Sequence, residues 1–140
     1  MNLFLDTSVL LAASGSADGA SRAIFQFAPK NDWTLITSPY ALSEVVKNLG
    51  VLPIRATTDW IHLRRHLAVV DDIVSLNLPT VFPVRKDRPI LFTALGWAKV
   101  LLTLDQNDFG SLLGGNFYGL KILKPGAFIE RERSAGKLIV

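Results

Sequence analysis

The chain predicts an α/β fold, a central parallel sheet with helices on both of its faces. Two observations carry that expectation. Short runs of strand-forming residues alternate with helix-length segments along 140 residues, the pattern of linked β–α units. Apolar residues make up 49% of the chain and charged residues 19%, a balance that excludes disorder and suits a sheet buried on both sides.

The elements follow in order. Leu3–Leu5 reads as a short buried strand, with Thr7 and Ser8 placed to cap a turn of helix over Val9–Ala13. A small-residue loop, Gly15–Gly19, precedes a helix over Ala20–Ala28, which offers Ile24, Phe25 and Phe27 to a core and stops at Pro29. Trp33–Thr37 is rich in β-formers and reads as the second strand. Ser38 is a capping side chain followed by proline at the first helical position, which opens a helix running to Leu49 and closing at Gly50. Asp59–Leu67 predicts a further helix carrying Trp60, Ile61, Leu63 and Leu67. Val69–Leu78 is ambiguous: Val69-Val70 and Ile73-Val74 fit short strands split by Asp71-Asp72, and Pro79 and Pro83 mark a loop. Asp87 then caps a nearly all-apolar helix over Arg88–Ala98. Val100–Leu104 is the clearest strand, and Leu112-Leu113 fits a short turn before Gly114-Gly115. Phe117–Leu123 reads as one final strand, and Pro125 opens a last helix to about Arg133. One domain is the natural count for this length: residues 1–133, with 134–140 as a tail.

Several classes drop out. No run approaches the roughly 18 apolar residues that span a bilayer. Met1–Ala13 is apolar, but no Lys or Arg precedes Arg22 and Asp6 interrupts the stretch, which argues against a secretion signal. The absence of cysteine rules out disulfides and thiolate chemistry and fits a reducing cytoplasm. His62 and His66 have zinc-ligand spacing on a helix, yet the metalloprotease glutamate is missing and no cysteine is available; an exposed helical pair is the plainer reading. Neither a Gly-x-Ser-x-Gly elbow nor a phosphate-binding P-loop is present.

What remains is a set of carboxylates. Asp6, Asp87 and Asp105 each adjoin a buried-looking apolar run, and Glu44 lies inside the helix that Ser38 opens. The carboxyl ends of parallel strands share one edge of a sheet, so acids placed there can converge on one cleft. Taken singly, each has a structural explanation. Capping accounts for Asp6 and Asp87, an Asx-turn for Asp105, and a cap is favoured over an accessory ligand for Asp108. Glu44 lies nearly opposite the stripe of Leu42, Val45, Val46 and Leu49, so it faces water or an open groove, where a weak pair with Lys47 would explain it. Gathered together, the four acids would repel one another unless a divalent cation joined them. With those four removed from the 12 acids, eight remain against 15 basic residues, a surface suited to a polyanion although the net charge is only +3.

At this point the motifs resemble those of the PIN domains. Leu5-Asp6-Thr7-Ser8-Val9-Leu10-Leu11 is similar to their opening motif, with Ser8 where asparagine is more usual. Ser43-Glu44-Val45 is similar to the second acid motif, and Lys86-Asp87-Arg88-Pro89-Ile90-Leu91 followed by Ala94 to the third. Leu102-Thr103-Leu104-Asp105 with Asp108-Phe109 is similar to the fourth, and Ile122-Leu123-Lys124-Pro125-Gly126-Ala127-Phe128 to the closing strand and helix. The likeness spans nearly the whole chain in order; Leu78–Pro83 and Ser134–Val140 match nothing in the family's pattern.

The resemblance implies a three-layer α/β/α sandwich around a parallel sheet of about five strands, and a Mg²⁺- or Mn²⁺-dependent ribonuclease. Many small members are toxins of toxin–antitoxin pairs, each inhibited by a cognate antitoxin. Oxygen-only ligands suit either cation. On this reading Asp6 and Asp105 are the direct ligands, and Glu44 and Asp87 bind directly or through water. Ser8, Thr103 and Asp108 support them by hydrogen bonds. Lys47, Arg85, Lys86 and Arg88 would guide an RNA backbone, with ordinary solvated charge as the alternative. Trp60 and Trp97 are better read as core than as base-stacking platforms. The expected partners are RNA, an antitoxin protein and a second copy of the chain, in the cytoplasm and without a membrane. Two other readings stay open: a non-catalytic module that binds RNA or protein, and an RNA-processing nuclease outside any toxin–antitoxin pair.

Overall fold

A computed structural model describes residues 1–75 and 87–140. The expected loop at Pro79 and Pro83, the end of the Val69–Leu78 segment, and Arg85 and Lys86 lie outside the described residues. The order is β1 (Asn2–Leu5), α1 (Thr7–Gly15), α2 (Ala20–Phe27), β2 (Thr34–Thr37), α3 (Pro39–Leu49), α4 (Ile54–Arg64), β3 (Ala68–Val69), α5 (Arg88–Trp97), β4 (Val100–Leu102), α6 (Gln106–Phe109), β5 (Asn116–Phe117), β6 (Leu120–Leu123) and α7 (Pro125–Ser134).

The strands form one sheet in the order β3-β2-β1-β4-β6-β5, all parallel except β5, which pairs antiparallel with β6. Successive strand residues point to opposite faces. Leu3, Leu5, Leu35, Val100, Leu102 and Leu123 meet one helical layer, built from α1, α2, α4 and α7. Phe4, Ile36, Leu101 and Ile122, aligned by the register Phe4–Ile36, Phe4–Leu101 and Leu101–Ile122, meet α5 and Phe109 of α6 on the other side. The α3 helix serves both layers, giving Val45 and Leu49 to the first and Ala41 to the second. This is a three-layer α/β/α sandwich, and its strands are apolar on both faces because both are covered.

Local chemistry sets several boundaries differently from the expectation. The first helix starts at Thr7 because Asp6 is its N-cap, its carboxylate accepting from the Thr7 amide at 2.7 Å; Thr7 and Ser8 lie in the first turn instead of before it. In α3, Ser38 caps as expected, its hydroxyl accepting from the Ala41 amide at 3.3 Å. The α4 helix begins at Ile54, five residues before Asp59, because Pro53 fixes an extended entry and Ala56, Trp60 and Leu63 form its buried stripe. Of the two short strands allowed within Val69–Leu78, Val69-Val70 forms one residue earlier, as Ala68–Val69 against Ile36 and Thr37, and Ile73-Val74 does not pair. Val74 is exposed, and Ile73 is held instead by its amide donating to Thr93 Oγ1 on α5 at 2.8 Å.

Phe117–Leu123 is a hairpin, not one strand. Tyr118 (φ 49°) and Gly119 (φ 88°) both take positive φ, the requirement of a type I′ turn, so Phe117 and Leu120 face each other as partners. Tyr118 keeps its ring edge-on to Phe117 at 5.0 Å. After α7 the chain turns back at Gly136 (φ 71°), Leu138 packs against the first core layer, and the Asn31 side chain both donates to and accepts from the Ile139 backbone at 2.8 Å. Arg22 ties three helices, donating from Nε to Ala13 O and from a terminal nitrogen to Asp59 at 2.8 Å. No helix among the described residues is long and apolar enough to cross a membrane.

Candidate functional site

The sheet order reverses at β1 and β4: β2 and β3 continue to one side of β1, and β6 lies beyond β4. At such a switch point the loops leaving the two strands diverge and open a crevice at their carboxyl ends. Asp6 leaves β1 there, and Thr103, Leu104 and Asp105 leave β4. A cleft of about 230 Å³ opens at this point, lined by Asp6, Ser8, Glu44, Asp87 and Asp105, with Thr7, Leu11 and Asn48 completing the wall. The four acids expected to converge do line one cavity, from four separate segments of the chain.

Asp6 is the deepest of them, only 5% exposed. Its Oδ2 accepts from Thr103 Oγ1 at 2.7 Å and from Ser8 Oγ at 3.0 Å. Those hydroxyls are themselves oriented by backbone: Asp105 N–H donates to Thr103 Oγ1 at 3.1 Å, and Leu104 N–H donates to Ser8 Oγ at 3.0 Å. With a hydroxyl lone pair occupied from behind, each proton is left to point at the Asp6 carboxylate. Two backbone amides of the β4–α6 turn thus act on Asp6 through two relays. Burial nevertheless pushes the Asp6 carboxyl up to about 6, against these bonds and that from the Thr7 amide, and the charge of Glu44 adds to the upward push.

Glu44 is half-buried on α3, and the Thr7 hydroxyl lies 3.3 Å from both Glu44 Oε1 and Ala41 O. The buried stripe of α3 is Ala41, Val45 and Leu49, with Val46 68% exposed. Glu44 therefore borders the buried face, not the opposite side of the helix, and that tilt is what turns it into the cleft. Asp105 is the N-cap of α6, its Oδ1 accepting from the Asp108 amide at 2.9 Å. Asp108 is thus inside the first turn and does not cap the helix. Carboxylate oxygens of Asp87, Asp105 and Asp108 all lie within 4.8 Å of one another, a group that could hold a metal ion. Asp87, 7% exposed, occupies the N-cap position of α5 without a side-chain capping bond, so the cap reading of Asp87 gives way to a carboxylate facing the other acids.

The expected basic guides are less concentrated. Lys47 is exposed in the last turn of α3, and Arg88 is half-buried at the start of α5; neither is among the residues lining the cleft. Trp60 is 6% exposed and belongs to the core, whereas Trp97 is 43% exposed and donates from Nε1 to Asp71 O at 3.1 Å. Two cleft residues take positions that the motif reading does not assign to the site. Asn48 follows Glu44 by one helical turn and donates to its carbonyl at 2.8 Å, a position the i,i+4 spacing already offered. Thr7, expected as a cap, lies instead inside α1 with its hydroxyl turned to Glu44.

No protein-family model and no curated protein sequence matches the chain. Among solved structures it is similar to a chain in the crystal structure of VapBC2 from Rickettsia felis bound to a DNA fragment from their promoter. The TM-score is 0.60 at 16% identity, covering 87% of this chain and 97% of that one. That likeness is one of fold.

Proposed function

We propose that this chain is a metal-dependent endoribonuclease that hydrolyses RNA phosphodiester bonds, acting as the toxin of a toxin–antitoxin pair. The observation that carries the reading is the convergence of Asp6, Glu44, Asp87 and Asp105 on one cleft at the switch point of the sheet. The fold likeness to a VapBC2 chain, together with the motif resemblance to PIN toxins, supports an antitoxin protein as partner. The sandwich is the expected nuclease unit, and a cytoplasmic site of action goes with an RNA substrate.

The donor set fits Mg²⁺ or Mn²⁺. Every donor is a carboxylate or hydroxyl oxygen; Asp87, Asp105 and Asp108 stand within 4.8 Å of one another, and Asp6 and Glu44 line the same cleft beside that group. Asp6 and Asp105 would hold the ion directly, with Glu44 and Asp87 binding it directly or through water. When bound, such an ion supplies Lewis-acid activation of water and neutralises charge at the phosphate. The chain's own residues supply orientation. Ser8 and Thr103 hold Asp6 as an ionised acceptor with fixed direction, Thr7 tethers Glu44, and the Asp108 amide fixes Asp105. Neither His62 nor His66 lines the cleft, so no imidazole there uses the ribose hydroxyl, and hydrolysis by water leaves a 5′-phosphate and a 3′-hydroxyl.

The test is cleavage of single-stranded RNA with Mn²⁺, its arrest by EDTA, and its loss in Asp6→Asn and Asp105→Asn proteins that remain folded. Undiminished cleavage by both variants would assign the activity elsewhere. RNA binding without any turnover would establish the non-catalytic module instead.

A further inference from the structure

Four cations, Lys99, Lys121, Arg131 and Lys137, lie at the end of the sheet opposite the acids. Two depressions open at the amino ends of the strands, of about 230 and 360 Å³, and Met1 borders both. The first is rimmed by Lys121, Arg131 and Lys137 with the single carboxylate Glu132, over an apolar floor of Val100, Leu123 and Phe128. The second holds Lys99 beside Trp97, whose indole is 43% exposed. Four cations thus face one carboxylate across the two.

The two depressions adjoin the same edge of the sheet and share Met1. Lys121 N–H donates to Lys99 O at 3.1 Å, and Val100 is the register partner of Lys121, so the two lysines sit on neighbouring strands. Lys121 is an exposed position inside an otherwise buried strand. A parallel sheet covered on both faces has apolar side chains along its strands; a lysine there marks a gap in the helical layer. Lys99, Lys121, Arg131 and Lys137 are all exposed, and none is in an ion pair among the described residues, whereas the neighbouring Arg133 is taken up by Glu130. Unpaired cations held together in this way raise the local positive potential and have no internal partner to satisfy.

We propose that this amino-terminal edge is a second nucleic-acid surface, one that holds the phosphate backbone of a single-stranded RNA away from the acid cleft. The proposal rests on RNA being the ligand of this chain. An acidic cleft repels a polyanion until metal enters it, no cation lines that cleft among the described residues, and cations elsewhere on the molecule can supply affinity. An exposed indole next to a lysine offers stacking together with charge, which favours a nucleic acid over an acidic peptide. A strand of four residues is roughly 13 Å long, so an RNA of several nucleotides can reach from this edge to the acids.

The decisive measurement is binding of a labelled oligouridylate of about 20 nucleotides to the full chain in EDTA, across about 50 to 200 mM KCl. The variant is Lys99→Gln/Lys121→Gln/Lys137→Gln. It should bind at least roughly tenfold more weakly at the low-salt end, and its log–log salt slope should fall by about 2, at roughly 0.7 per lost phosphate contact on a single strand. A matched variant with Arg55, Arg64 and Arg65 changed to Gln should retain most of the affinity. Equal losses in the two variants, or an unchanged slope in the first, would overturn the proposal. So would displacement of the RNA by polyglutamate at equal charge concentration, which would identify a surface for acidic protein. Should the triple variant unfold, Lys121→Glu alone in the same titration decides, since Lys121 is an exposed side chain. Because binding is read without metal, a protein that never cleaves RNA defeats the nuclease reading and leaves this measurement intact.

Discussion

The buried carboxylate at Asp6 makes the stability of the metal-free protein fall as pH rises. In an unfolded chain an aspartate titrates near 3.9, while burial holds Asp6 up at about 6 in the fold. Between those values the folded state binds more protons than the unfolded state. The associated stability is fully present below about pH 4 and is lost as pH passes through about 6. A difference of about two units at 1.36 kcal/mol each gives a loss of about 3 kcal/mol. In a domain of this size that is a fall in Tm of roughly 10 °C. Other carboxylates contribute with the opposite sign, Asp59 for one, whose pKa the Arg22 hydrogen bond lowers. The clean quantity is therefore the difference between wild type and Asp6→Asn, both in EDTA, from urea melts at several pH values between 4 and 8. Asn at this site meets the Ser8 and Thr103 hydroxyl donors with an amide, a mismatch worth about 1–2 kcal/mol, but that offset is the same at every pH. The two stability curves should separate by about 3 kcal/mol across the window. Parallel curves would refute the reasoning, since they would mean that burial of Asp6 carries no charge penalty.

Four further outcomes follow from the same geometry. Mn²⁺ should raise the Tm of wild type clearly and that of Asp105→Asn little, because a ligand that binds only the folded state stabilises it by mass action; equal shifts would remove Asp105 from the metal set. Thr103→Val, which deletes a donor to Asp6 while keeping the side-chain shape, should lower metal affinity or cleavage by roughly 10–100-fold, and wild-type values would show that the relay is dispensable. Gly110→Ala should cost roughly 1–3 kcal/mol in urea melts, because the added Cβ would stand 2.4 Å from the Gln106 carbonyl oxygen and push on the helix that carries Asp108. Trp60→Ala should cost about 3–5 kcal/mol as a core deletion; a small loss with weakened RNA binding would reverse its assignment to the core.

The layered fold was legible because its signals are local and redundant. Leu3–Leu5 is buried on both faces of the sheet, Ser38-Pro39 states a helix start in two residues, and Val100–Leu102 has no polar position to misplace. The misreadings share a cause: each depended on a contact or dihedral that sequence does not display. Tyr118 is a strand former by propensity, yet here it takes φ 49° because Gly119 beside it completes a type I′ turn. Thr57 and Thr58 hid the first half of α4, since β-branched residues lower helix propensity while Ala56 and Trp60 supply the packing that overrides it. The carboxylates were legible as a group and illegible in their individual bonds. Asp6 caps α1 as expected, and Asp105, expected to open an Asx-turn, caps α6 instead; capping occupies one carboxylate edge and leaves the rest of the group available to the cleft.

That double use of a cap explains how such a site persists in a small protein. A helix N-terminus stabilises a nearby carboxylate through free amides and the macrodipole. Asp6 at the start of α1 and Asp105 at the start of α6 are each anchored in this way within the same cleft. The hydroxyl relays from Leu104 and Asp105 to Asp6 then make the position of one acid depend on the turn that holds the other. Repulsion among the acids is consequently resisted by backbone hydrogen bonds at fixed points, not relieved by carboxylates swinging apart into water. A cluster held in this manner would meet a cation with its carboxylates already in place, and the burial that fixes Asp6 there is what raises its pKa.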